Sequence, residues 1–398
     1  MNPAKLGASL RNHFGCVLLC CGAYAALRTG SSLYGFLSGK AMFQHDFYTQ
    51  YTAWSGLMHR DTANDLLSHP TYLPHAWLLL TPLHCLEWAI AKWVWCCICF
   101  ALHIYIWHRI SSLCGLSRPE RRQFFILYFC FLSVGLTIAL GNPVIVSFAA
   151  ILAAFPFAPE ASVNPVTRFA PFKKQCLLFI STIKHITVFP VFLALLFKRP
   201  RLVIPTGVAV AGILVVSMWW AHIAPDTMLQ NFQRGNQLLT TWMHESPGVS
   251  LVPLFEPLGT PGTILLWILW AFLFVFVFLR VTNAFIQLSC LLLLATLPIH
   301  HHTYDMFVAA PVVALLIKQG RTLTQLVVTL SLSGLWDTAA NRHFGGIATL
   351  EHVTVLYYPS VIFGLIAILF WLDCQCKTSP EAEPCASAMA THDAPRGR

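Results

Sequence analysis

Long apolar runs with almost no charge dominate this chain, at about residues 14–36, 76–107, 124–141, 143–158, 175–197, 202–221, 263–280, 282–299, 305–318, 321–336 and 355–372. An α-helix needs about 20 such residues to cross a bilayer, and several runs meet that length. Lipid offers a bare backbone no hydrogen-bond partners, so only helices and closed barrels span it. A barrel strand would read as a short alternating segment, whereas these runs are continuous. The composition agrees, with 57% of the 398 residues hydrophobic and 10% charged. An ordinary soluble domain is about 25% charged. A water-soluble globule cannot hide so much apolar side chain, and the same figures exclude disorder, collagen and a disulfide scaffold. The expected fold is all-α, a polytopic transmembrane helical bundle.

Lys and Arg collect in the cytoplasmic loops of membrane proteins, which orients the runs. Eighteen of the 25 form clusters at Lys5/Arg11, Arg109/Arg118/Arg121/Arg122, Arg168/Lys173/Lys174, Lys198/Arg199/Arg201, Arg280, Lys318/Arg321 and Lys377/Arg396/Arg398. One topology puts all of them inside: about ten spans, both termini cytoplasmic, and run 175–197 entering and leaving on that side as a re-entrant hairpin of two short helices. The charged pair Lys184-His185 marks its tip, because a charge in the middle of a straight span is costly. Run 76–107 divides at Glu87, its first part forming an amphipathic or half-inserted helix. Two long outer loops result, 37–75 and 222–262, with shorter outer stretches at 141–143, 299–304 and 337–354. Residues 1–376 then form one transmembrane domain, and the polar tail 377–398 reads as a disordered cytoplasmic extension. Segment 1–30 also has the basic start and apolar stretch of a signal peptide. A retained first helix is preferred, since it holds the polar segment behind it at the membrane surface. No internal repeat is visible, which counts against a transporter.

The net charge of +9 does not point to nucleic acid, because the basic residues sit in short clusters between apolar runs. The cysteines fall mostly inside or beside the runs and read as packed thiols. Cys374 and Cys376 lack a second ligand pair and make a poor zinc site. The oriented chain has a second asymmetry. Twelve of the 17 His lie on the outer side, with Asp46, Asp61, Asp65, Asp226, Glu245, Asp305, Asp337 and Glu351. The positive-inside bias explains the scarcity of Lys and Arg there, but not this abundance of His and acids. A polar site facing the outer compartment does.

Several segments would compose that site. His45-Asp46-Phe47-Tyr48-Thr49-Gln50-Tyr51 follows the first helix. An acid at the mouth of a span needs solvent or a partner. Tyr48 and Tyr51, one turn apart, put it at the rim of an aromatic cleft, although a juxtamembrane loop with interfacial tyrosines is the plainer reading. Ser68-His69-Pro70-Thr71-Tyr72-Leu73-Pro74, followed by Leu80-Thr81-Pro82-Leu83, reads as a rigid loop re-entering the membrane. Gly141-Asn142-Pro143 is a polar break between helices. Lys184 and His185 at the hairpin tip offer a point charge to a phosphate, unless Lys184 snorkels to the headgroups. Pro298-Ile299-His300-His301-His302-Thr303-Tyr304-Asp305 sets three imidazoles in a row. Consecutive residues rarely point at one ion, so contacts to an anionic ligand are preferred over metal binding. The second outer loop adds Arg234, Asn236, Trp242, His244 and Glu245 as candidate acceptor contacts.

These segments, in this order, give the chain a resemblance to the GT-C superfamily of polyprenyl-phosphate-sugar-dependent glycosyltransferases. It resembles glycosyltransferase family 87 in particular, which includes the mycobacterial polyprenol-phosphate-mannose-dependent mannosyltransferases. The family's Asp-Phe-x-x-Tyr-like motif is similar to Asp46-Phe47-Tyr48-Thr49-Gln50-Tyr51. Its Tyr-x-Pro element and Pro-Leu helix are similar to Tyr72-Leu73-Pro74 and Pro82-Leu83. Its Gly-Gln-x-Asn-like turn resembles Gly141-Asn142-Pro143, with Asn142 where Gln is usual. Its Lys-x-x-Pro-like element resembles Lys184 with Pro190, at longer spacing, and its late His-bearing loop resembles His300-His301-His302. The layout matches over about residues 10–372.

The resemblance implies an inverting transfer of a sugar, mannose by default, from a polyprenyl-phosphate donor to a hydroxyl of a lipid or glycan acceptor. Asp46 would be the general base. His300, His301, His302, Lys184 and Arg234 would meet the donor phosphate. Tyr48, Tyr51, Tyr72, Asn142, His185, His244 and Glu245 would bind substrate. The leaving group departs as a phosphate anion, so the resemblance implies neither a metal nor another cofactor. It implies a monomer whose residues 1–376 are the catalytic unit, in contact with membrane lipid in a bacterial inner membrane, with the site facing the periplasm. Two alternatives stand beside it. One is a lipid or amphiphile transporter or flippase, for which Lys92 and Lys184 are the in-span charges, neither with an evident partner in the sequence. The other is a membrane scaffold without catalysis.

Overall fold

The apolar runs fold as helices. The computed structural model describes residues 3–38, 47–48, 51, 74–156, 170–220, 224, 226, 230, 233, 250–299, 303–333 and 349–378, and among these there is no strand. In chain order the helices are α1 Pro3–Ser38, α2 Pro74–His84, α3 Trp88–Leu113, α4 Arg118–Phe129, α5 Leu132–Leu140, α6 Val144–Ala154, α7 Ala170–Ser181, α8 His185–Lys198, α9 Pro200–Trp220, α10 Gly259–Arg280, α11 Ala284–Ala295, α12 Ala310–Lys318, α13 Thr322–Leu332 and α14 Thr349–Thr378. The turns Thr182–Lys184 and Thr303–Ala309 are 3-10 helical, and Val252–Leu258 forms helical turns that lead into α10.

Among the described residues, six helical stretches are long and apolar enough to cross a membrane, by length and composition alone: Phe14–Ser38, Trp88–Leu113, Phe172–Lys198, Pro200–Trp219, Val252–Arg280 and Tyr357–Lys377. A seventh is the pair α4 and α5, bent by 61° where Phe131 becomes extended. The sequence suggested about ten spans. Runs 143–158, 282–299 and 321–336 instead fold as helices of 11, 12 and 11 residues. At about 1.5 Å per residue each is under about 20 Å long, too short to cross about 30 Å of hydrocarbon alone. Within the segment 222–262, the described residues from Val252 onward are helical. Run 76–107 does divide at Glu87, whose extended backbone separates α2 from α3.

The segment Phe172–Lys198 is not straight. A straight helix would set its ends about 35 Å apart. Yet Gln175 Nε2 donates to the Arg201 carbonyl at 3.3 Å, and Thr206 Oγ1 reaches the Gln175 carbonyl at 3.5 Å. The chain therefore turns back at Thr182–Lys184, where Lys184 leaves helical geometry at φ −113°, ψ 76°. α7 and α8 are the two limbs of a hairpin with Lys184-His185 at its tip.

Among the described residues, the basic clusters at 109–122, 173–174, 198–201, 280, 318–321 and 377 gather at one end. Lys318 Nζ donates to the Gly115 carbonyl at 2.9 Å and faces Glu120, joining the clusters at 109–122 and 318–321. Arg109 donates to the carbonyls of Leu152 and Phe155, and Phe155 lines a cavity with Lys198 and Arg199. Lys198 donates to Gln287, whose amide binds the carbonyls of Phe278 and Val281 beside Arg280, and Lys377 donates to the Arg280 carbonyl. The Gln175 to Arg201 bond brings in the start of α7.

Short helices fill the centre and long ones surround it. All but two residues of α6 and all but one of α11 are buried, as are Asp305 through Val313. The large exposed apolar side chains sit mainly on the long helices: Leu19 and Leu27 on α1, Val208, Val215 and Trp219 on α9, Ile268, Phe272 and Leu279 on α10. Such a shell suits lipid, and the chain is compatible with an integral multi-pass membrane protein.

Candidate functional site

At the other end of the bundle the turn between α5 and α6 organises the packing. Gly141 adopts the left-handed conformation, φ 66°, that ends α5. Trp95 of α3 donates its indole N–H to the Gly141 carbonyl at 2.9 Å. Asn142 is fully buried and its Oδ1 accepts the Val144 N–H at 2.8 Å, an Asx turn that starts α6. Phe47 is also fully buried. Its ring stacks on Trp95 at 5.0 Å and on Trp88 at 5.5 Å. Phe47 of the first-loop motif is therefore packed onto the Gly-Asn-Pro turn, 94 residues away in sequence.

Gly141 has no room for a side chain, because a Cβ there would lie 2.7 Å from Phe47 Cβ and 2.8 Å from Phe36. Gly141→Ala is expected to lose about 2–5 kcal/mol, from about 1–2 for the left-handed backbone and about 1–3 for overpacking. Gly115, at φ 60° with open space around it, is the control. Thermal unfolding in detergent compares the two, and equal losses would refute the packing argument.

Tyr51 and Tyr48 extend the aromatic cluster. The Tyr51 hydroxyl donates to the Leu86 carbonyl at 2.8 Å, and its ring lies 5.1 Å from both Trp88 and His84. Burial pushes the His84 imidazole down to about 4, so it is neutral at pH 7 and serves as an aromatic neighbour rather than a cation. Tyr48 is exposed and meets Trp88 edge-on at 5.2 Å. α2 also touches the hairpin, where Ala76 packs on Ile183.

The hairpin tip holds the main electrostatic feature. Lys184 Nζ donates to both carboxylate oxygens of Asp305, at 2.8 and 2.9 Å, and the two side chains are 4% and 0% exposed. The Lys184 backbone N–H is taken by Ser147 Oγ of α6 at 2.9 Å. Asp305 belongs to the 3-10 turn Thr303–Ala309, which packs along α5. Lys184, for which the sequence offers no evident partner, thus has one 121 residues away. Lys92 has one as well, the Leu37 carbonyl at 2.8 Å.

Of the candidate residues, Asn142, Lys184, Tyr51 and Tyr48 hold the positions just given, and His185 opens α8 half-buried. Asp46, Tyr72, Arg234, His244, Glu245, His300, His301 and His302 lie outside the described residues, as does the tail 379–398. The segments adjoining two of these groups are placed: Phe47 follows Asp46, and Thr303 follows His302. Among the described residues, no group of three or more His, Cys, Asp or Glu is arranged to hold a metal ion.

Sequence reasoning passed over two further polar groups. Arg28 lies inside the α1 span, bound to the Tyr24 hydroxyl and to the Ser333 carbonyl at 2.7 Å, which ties α1 to the end of α13. His103 is fully buried in α3 with its Nδ1 2.7 Å from the Tyr128 hydroxyl. A lone charge or imidazole within an apolar run is the signal by which both could have been found. No protein-family model matches the chain, and neither a curated protein nor a solved structure matches it.

Proposed function

We propose that this protein is an inverting glycosyltransferase that moves a sugar, mannose by default, from a polyprenyl phosphate to a hydroxyl of a lipid or glycan acceptor. Asp46 takes the proton of the acceptor hydroxyl as its oxygen attacks the anomeric carbon, and polyprenyl phosphate leaves on the opposite face. Imidazoles of His300, His301 and His302, with Arg234, stabilise the charge growing on the phosphate. Lys184 acts through Asp305, since its buried ammonium is already compensated. The reaction takes place at the periplasmic face of a bacterial inner membrane, with both termini and the basic clusters on the cytoplasmic side.

One observation carries this reading. The elements that adjoin the catalytic candidates converge at the end of the bundle away from the basic clusters. Phe47, next to Asp46, seats on the Gly141-Asn142 turn, and Asp305, three residues beyond His302, is clamped by Lys184. A base and a phosphate site must be neighbours, and the placement of Phe47 and Asp305 is compatible with that.

A transport reading gains support from the same ion pair. Intramembrane ionisable residues that pair with one another often mark ion or substrate pathways. The test gives the purified full chain radiolabelled polyprenyl-phosphate sugars and crude membrane lipid in proteoliposomes. Appearance of glycosylated lipid supports transfer. Uptake of labelled donor without a new product supports transport and overturns the transferase. Activity that survives excess EDTA rules out an exchangeable metal.

The histidines give a second expectation. His300→Ala, His301→Ala and His302→Ala should differ sharply, because consecutive side chains point different ways. One or two should lose transfer by about a hundredfold or more, the scale of a lost oxyanion donor. Wild-type rates in all three would remove the phosphate site from this stretch.

A further inference from the structure

At the foot of the hairpin, between the end of α8 and the start of α11, lies a cavity of about 240 Å³. It is a groove that opens toward the surface of the bundle, not an enclosed void. Its walls include the buried Val191, Leu195, Leu288 and Leu291, which give water nothing to bind. Such an apolar wall, open toward the surface of the bundle, favours a hydrocarbon chain over water. The rim is different. Lys198 is exposed and Arg199 half-buried, and both line the cavity. No lining residue is an acid, and among the described residues neither cation forms an ion pair with a carboxylate.

Lys198 is held in place rather than free to extend into water. Its Nζ donates to Gln287 Oε1 at 2.7 Å and sits 4.7 Å from the centre of the Phe278 ring. The Gln287 amide is occupied in turn by the carbonyls of Val277, Phe278 and Val281. An ammonium has three donors, so the Gln287 bond leaves capacity for an anion. Two adjacent cations without an acid, above an apolar trough, match a ligand with an anionic head and a hydrocarbon tail.

The geometry points to a structural binding site for an anionic glycerophospholipid, its phosphate held by Lys198 and Arg199 and one acyl chain in the trough between α8 and α11. The site rests on the membrane setting of the chain and not on transfer chemistry. It lies at the far end of α8 from Lys184, about 20 Å along the helix, and so is separate from the proposed catalytic end. A lipid wedged there braces the return limb of the hairpin against α11.

Native mass spectrometry of the full chain in detergent tests this with phosphatidylglycerol, phosphatidylcholine and free glycerol phosphate as probes. Phosphatidylglycerol is expected to be retained and to raise the melting temperature, whereas phosphatidylcholine of the same chain length is not. The double substitution Lys198→Gln with Arg199→Gln should weaken retention by about thirtyfold, the scale for two basic residues at an anionic headgroup. Lys318→Gln, an exposed cation in another cluster of the same end, should leave it unchanged. Leu288→Phe, which fills the trough with both charges intact, should also reduce retention. Equal retention of the two lipids overturns the proposal, as does undiminished phosphatidylglycerol binding in the double variant. Displacement of the lipid by glycerol phosphate at equal concentration shows a plain anion site and overturns the lipid assignment. Should a variant fail to fold, the comparison of the two lipids on the wild-type chain still decides.

Discussion

Asp46→Asn is expected to abolish measurable sugar transfer while the protein folds and melts as the wild type does. The amide has the size and planarity of the carboxylate and cannot accept a proton. A positioned base contributes about 10²–10⁴-fold to such a step. Asp46→Glu keeps the base but displaces it, so it should retain part of the rate. Asp46→Ala should resemble Asp46→Asn if the carboxylate acts as a base alone. The next residue sharpens the test. Phe47 is fully buried against Trp88 and Trp95, so damage to this segment shows in the melting temperature. An Asp46→Asn protein with normal melting and lost transfer therefore reports on chemistry. Normal melting with undiminished transfer removes Asp46 from the reaction and, with it, the proposed mechanism.

What the sequence makes legible here follows its local physics. A charged pair in the middle of run 175–197 predicts a break, and the chain turns back at Thr182–Lys184, because an ammonium in a straight span would have nothing to pair with nearby. Glu87 divides run 76–107 for the same reason, and the residues on either side fold as α2 and α3. Short apolar runs are harder to read. Runs 143–158 and 282–299 look like spans by composition, but they are the buried centre of the bundle, where apolar residues cover every face of the helix. Composition cannot separate a helix buried in protein from one buried in lipid. The Lys184 to Asp305 pair was hidden differently. Both residues stand out singly, but their pairing bridges 121 positions and leaves no local pattern. Scarcity was the usable clue, since with 16 acids in the whole chain few are available to an interior ammonium. The packing of Phe47 on Gly141 was invisible for the same reason, although the glycine itself announced a tight turn.

That buried pair carries the largest stability effect expected in this molecule. Lys184→Met removes the cation that faces the fully buried Asp305 carboxylate, and Asp305→Leu removes the carboxylate that faces the buried ammonium. Breaking a buried pair from one side costs about 3–5 kcal/mol. Domains are stable by about 5–15 kcal/mol in total, so either single variant should approach loss of the fold. Replacing both partners removes both desolvation penalties together. Lys184→Met with Asp305→Leu should therefore recover most or all of the melting temperature, since apolar replacements of buried pairs are often neutral or stabilising. Melting in detergent for the four proteins of this cycle gives the coupling directly, and single variants that melt like wild type would show that no such pair forms. Turnover of the double variant then separates two reasons for keeping an ion pair in an apolar interior. If stability returns and transfer does not, the pair positions the segment after His302 against the hairpin tip, and its value is orientation. If both return, Lys184 and Asp305 are only a clamp between α6, the hairpin and the Thr303–Ala309 turn, and the charge on the donor phosphate must be met entirely by the histidines and Arg234.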